Sequence, residues 1–134
     1  MLITATALFF SVNGFRKQLQ LNFFAEYTKR YQEIILNLPE TINQANFSFE
    51  ELTEDIRAKT LRYMRAYFDL CSEEYFLWKS KHIDDKVWKE WDSGIKYALS
   101  KKAFRDGWAR IQLDTIYYED FSVYVKKFLN ENPS

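Results

Sequence analysis

Residues 61–78, Leu61 to Trp78, read LRYMRAYFDLCSEEYFLW, and this stretch decides the fold. Leu61, Met64, Phe68, Cys71, Tyr75 and Trp78 alternate steps of three and four, which is a heptad seam on an α-helix. A second line, Tyr63, Tyr67, Leu70 and Leu77, runs beside it. A helix apolar over so wide an arc must be covered on two sides, so several other helices are required. Upstream, Ser48 and Glu51 have the spacing of a capping box, and Thr53 is an alternative first cap.

The flanking sequence supplies those helices. Phe24, Tyr27, Tyr31, Ile34 and Leu38 are spaced three and four apart, predicting a helix that runs from near the N-terminus to about Asn37. Pro39 ends it, because the residue before a proline avoids helical geometry. Residues 40–47 read as a loop. Asp84 or Asp85 caps a third helix with Trp88, Trp91, Ile95 and Ala98 inward. Ser100 is the expected cap of a fourth, with Phe104, Trp108 and Ile111 buried. A last short helix follows Tyr118, using Phe121, Tyr124, Val125 and Phe128. The expected fold is all-α: an antiparallel helical bundle of four to five helices with a long apolar N-terminal helix. Only three glycines and two prolines interrupt 134 residues, which suits helices with short connections. At this length folding buries roughly two thirds of the chain's surface, enough for a core without staples. No repeat or linker divides residues 16–134, which read as a single helical domain.

Residues 1–15 stand apart. They carry no charge and include Leu2, Ile3, Leu8, Phe9, Phe10, Val12 and Phe15, after which Arg16 and Lys17 arrive together. As a helix they cover about 22 Å, short of the roughly 30 Å hydrocarbon core. The readings are a short membrane helix with Arg16 and Lys17 as its cytoplasmic flank, or an arm buried in a homo-oligomer. A secretory signal fits less well, since the segment lacks a basic start and a small-x-small cleavage site.

Chemistry is sparse. Lys and Arg together number 19, as do Asp and Glu, so the net charge is zero and no nucleic-acid partner is expected. The single cysteine, Cys71, excludes an intrachain disulfide, and its place on the apolar seam reads as a structural thiol. His82, the one histidine, falls in an interhelix turn. Glycine-rich phosphate loops are absent, and no cofactor is expected. One polar line is a candidate ligand site: Arg62, Arg65, Asp69 and Glu73 lie in one strip of the second helix. With Glu26 or Glu33 from the first helix, Asp69 and Glu73 could form a carboxylate-based metal or acid/base site. The plain reading is a solvated, salt-bridged face. Trp78, Trp88, Trp91 and Trp108 read as core, with a cage for a cationic ligand as the functional alternative.

Three groups of residues carry a resemblance. They are residues 62–76, RYMRAYFDLCSEEYF; Val87 to Trp91 with Gly94, Ile95, Phe104, Arg105 and Trp108; and Phe24 to Thr28 with Arg30 and Tyr31. Together they resemble a group of uncharacterised bacterial helical proteins filed as a domain of unknown function. Members often carry an N-terminal membrane helix ahead of the helical domain. The resemblance implies no catalytic residues, and it implies an anchor in residues 1–15. The leading expectation is therefore a non-enzymatic, membrane-associated binding or scaffold module on the cytoplasmic side of the bacterial inner membrane, with an unidentified protein partner. The alternatives are a cytoplasmic homo-oligomer with the N-terminal arm buried between subunits, and the carboxylate site on the second helix.

Overall fold

The computed structural model describes residues 5–113 and 119–134. Five helices follow in order: α1 Ala5–Leu36, α2 Glu54–Lys79, α3 Asp85–Leu99, α4 Lys102–Ile111 and α5 Glu119–Glu131, with a 3₁₀ turn at Phe49–Glu51. No strand occurs among the described residues. The all-α class and the bundle are as the apolar spacing requires.

Caps set the boundaries. Thr53 starts α2 by accepting from the Ile56 N–H, and Asp84 starts α3 by accepting from the Val87 N–H at 3.0 Å. Ser48 caps the 3₁₀ turn instead of α2. Ser100 does not cap α4: its hydroxyl donates to the Tyr97 carbonyl, and Lys101 holds the cap position without a side-chain bond. The expected start of α5 at Tyr118 lies outside the described residues.

α2 is the hub and packs against all four other helices. Gln20 accepts from the Asp84 N–H just beyond α2, Arg30 bonds Glu73, and Tyr31 meets Tyr67. Numbers rise along α1 as they fall along α2, so the two are antiparallel. On another side, Phe68 packs against Phe104 and Trp108, with Phe121 of α5 edge-on to Trp108. Between α1 and α2 the loop tucks Leu38, Ile42, Phe47 and Phe49 into the core. Arg57 closes it by donating to the carbonyls of Phe49 and Leu52.

α1 corrects one expectation. It is long, but it is not a long apolar helix: Arg16, Lys17, Gln18, Gln20 and Asn22 follow the apolar turns. No helix among the described residues is long and apolar enough to cross a membrane. Leu2 and Ile3 lie outside the described residues. Residues 5–19 are all exposed, and packing onto the bundle begins only near Gln20 and Phe23. The first half of α1 therefore projects beyond the core.

Two glycines make the packing testable. A Cβ on Gly107 of α4 would lie 2.8 Å from Cγ of Met64, which is fully buried, whereas one on Gly94 of α3 meets nothing within 4 Å. Gly107→Ala should lower stability by about 1–2 kcal/mol, because overpacking outweighs the gain in helix propensity. Gly94→Ala should raise it by roughly 0.5–1 kcal/mol. Urea midpoints that move in the same direction for both would contradict this packing.

Candidate functional site

α1, α2 and α3 diverge around a cavity of about 270 Å³. Bulky rings hold them apart. Tyr27 of α1 stands edge-on to Trp91 of α3 at 5.4 Å, and Phe24 stacks on the same indole at 6.4 Å. Tyr31 tilts against Tyr67 of α2 at 6.3 Å. The floor is Tyr67 and Glu74, both buried; Phe24, Tyr31, Glu90 and Gly94 at the rim are exposed.

Glu74 is the unusual residue. Its side chain lies at the buried floor, only 7% exposed. Burial favours the neutral carboxylic acid and pushes its pKa up to about 8. Arg30, bonded to Glu73 at 2.6 Å, is the next influence and pulls the other way, and Glu73 adds a smaller repulsion. The Arg30 guanidinium also lies 5.0 Å over the Tyr27 ring, so it is held at the flank of the cavity.

Glu74 was legible as a position before it was legible as a site. The second apolar line of α2, Tyr63, Tyr67, Leu70 and Leu77, skips from 70 to 77. Glu74 fills that gap at a step of four and then three. An acid that completes an apolar line is the signal; its neighbour Glu73, on the polar strip, masks it.

The polar strip itself is mostly a solvated face. Arg62 and Asp69 are exposed and Arg65 is half-buried. Partial burial and the Glu73 charge raise the Asp69 pKa, while Arg65 and Arg30 pull it down. α1 brings a cation to Glu73 rather than the carboxylate of Glu26 or Glu33, both of which are exposed. Among the described residues, no group of three His, Cys, Asp or Glu side chains is placed to hold a metal ion. Cys71 is fully buried and its thiol pKa is pushed well up by desolvation, which leaves it unreactive. His82 sits in the exposed turn after α2, its Nδ1 2.8 Å from the Ser80 hydroxyl. Trp88, Trp91 and Trp108 are core, and half-buried Trp78 stacks on Trp88 and donates to Asp85.

A second depression, of about 680 Å³, lies where α1 leaves the bundle. Arg16 of α1, Lys79 at the end of α2, and Lys81 and His82 of the following turn all line it. Asp84 and Asp85 are there too, Asp84 accepting from the Val87 N–H and Asp85 from Trp78, and their charges offset part of the positive charge of Arg16, Lys79 and Lys81. Before Arg16 on the same helix come the apolar side chains of Leu8, Phe9, Phe10, Val12 and Phe15, each at least half exposed.

No family model, curated protein or solved structure matches the chain. The resemblance to the uncharacterised helical proteins therefore rests on the quoted residues alone.

The buried acid sets a pH dependence. The Glu74 pKa is higher in the folded chain, about 8, than its ordinary 4.5, so the folded state holds the proton more tightly. Its contribution is complete below the ordinary value and is lost as pH rises through the folded value. Glu74→Gln should thus change stability little near pH 4 and raise it by on the order of a few kcal/mol near pH 9. Every other titrating group is common to both proteins. Equal urea midpoints at the higher pH would show that Glu74 is not desolvated.

Proposed function

We propose that this protein is a non-enzymatic helical binding module held at a membrane surface by the first three turns of α1. One observation carries the reading: those turns expose large apolar side chains on every side, with Phe9 62%, Phe10 67% and Phe15 71% accessible. At about 100° per residue, Leu8, Val12, Phe15 and Leu19 form one stripe, while Phe9 and Phe10 point roughly 100° and 200° away from Leu8. A second protein helix covers one stripe and leaves the other rings in water. Acyl chains cover all of them, and each such side chain gains roughly 1.5–3 kcal/mol on leaving water.

The charge order supports the same reading. Arg16 and Lys17 follow directly, and Lys79 and Lys81 share the depression at the base of the projecting turns. The basic residues suit anionic headgroups, at about 1 kcal/mol for each one near the surface, less what Asp84 and Asp85 of the same depression offset. The helix would enter the headgroup and upper acyl region without crossing it, leaving the bundle in the aqueous phase. An anionic leaflet on the cytoplasmic side of a bacterial inner membrane fits the basic residues and the resemblance together.

Vesicle flotation of the full chain tests this. Binding should be stronger to vesicles containing phosphatidylserine than to pure phosphatidylcholine, and should weaken with salt. Replacing Phe9, Phe10 and Phe15 together by Ser should leave the protein unbound with its thermal melt unchanged, since none of the three touches the core. A chain that stays with neither vesicle, and runs as a defined multimer by light scattering, would replace the membrane with a second copy of α1.

A further inference from the structure

We propose that the cavity between α1, α2 and α3 binds a small organic ammonium, with its charge against Glu74 and its carbon groups against the rings of Tyr27, Tyr31 and Trp91. The site is separate from the membrane-contacting turns, so it stands or falls independently of them.

Three features select this ligand class. The first is the wall. Aromatic faces attract a positive charge through their quadrupole and tolerate the methyl and methylene groups around it. Rings from all three helices reach this cavity, so the wall belongs to the tertiary fold and not to one helix. The second is the charge. Among the described residues, the lining carries two carboxyls, Glu74 and Glu90, and no Lys, Arg or His. That composition repels an anion. Arg30, the cation nearby on α1, is bonded to Glu73, lies 5.0 Å over the Tyr27 ring and is not among the lining side chains. The third is the place of Glu74 on α2. Its position continues an apolar line, where a leucine would suit the packing pattern and avoid the desolvation of a carboxyl. An uncharged apolar ligand would need no acid there. A cation gives the buried carboxylate its partner.

The groups facing Glu74 set the linkage. They are Arg30, Tyr27 and Tyr31 from α1, Tyr67, Cys71 and Glu73 from α2, and Glu90 from α3. The tyrosines and Cys71 stay neutral through neutral pH, since burial raises Tyr27, Tyr31, Tyr67 and Cys71 alike. Glu74 is therefore the group that gains charge on binding, and the ammonium displaces its proton to solvent. Affinity must rise with pH until the free acid is ionised.

The test is an NMR titration of the full chain with choline and with 3,3-dimethylbutan-1-ol, its uncharged isostere. Choline should shift the Trp91 indole resonance, tighten about tenfold between roughly pH 6 and pH 9, and bind at least about tenfold better than the isostere. Glu74→Gln should lower choline affinity about tenfold and remove its pH dependence. Gly94→Leu, which adds a side chain at the cavity wall where nothing lies within 4 Å of the new Cβ, should block both probes without unfolding the chain. Equal binding of the two probes, choline affinity unchanged in Glu74→Gln, or no shift by either probe would each overturn the proposal.

Discussion

The arrangement of this fold follows from the need to cover α2 on more than one side. Its buried positions include Met64, Tyr67, Phe68, Leu70, Cys71, Glu74 and Leu77. These do not fit one helical stripe, so no single partner helix can shield them. α4 and α5 close over Phe68 with Phe104, Trp108 and Phe121; α3 brings Trp88 and Trp91; and the C-terminal half of α1 covers what is left. The rings are large, and rings packed edge-on hold their helices apart. α4 approaches closely only because Gly107 lies against Met64. On the α1–α3 side Phe24 and Tyr27 meet Trp91 ring against ring, and that separation leaves the cavity over Glu74.

The helices were legible because their burial is periodic. The seam from Leu61 to Trp78, the stripe Trp88–Trp91–Ile95–Ala98 and the inward set Phe104–Trp108–Ile111 all describe real packed faces. Burial without a period was not legible. Ile42, Phe47 and Phe49 reach the core from turns, and the side-chain bonds that hold the last two come from Lys102 of α4 to the Phe47 carbonyl and from Arg57 of α2 to the Phe49 carbonyl. Cap chemistry was half legible. Ser48, Thr53, Asp84, Asp85 and Ser100 are all competent caps, but which of them works depends on where each hydroxyl or carboxylate is already engaged.

The site was harder for a similar reason. Spacing gave the strip Arg62, Arg65, Asp69 and Glu73, because charges on one face are visible in sequence. It did not separate Glu73 from Glu74, two adjacent acids about 100° apart on the helix. The structure sends one to a salt bridge with Arg30 and the other to the floor of a cavity. The burial of a side chain depends on what covers it, and α1 and α3 are remote in sequence from both.

α1 answers two opposed demands in one continuous helix. Its C-terminal half must pack, so its rings point at α2 and α3, and Ile34 is its one buried residue among those described. Its first three turns have no face turned to the bundle and show apolar groups all round. An isolated helix of this length is marginal in water, and these turns contain Asn13 and Gly14, which favour helix weakly. What keeps them helical is propagation from the packed half, because extending an existing helix avoids the cost of nucleation. The bundle thus acts as a nucleus from which apolar turns are carried outward.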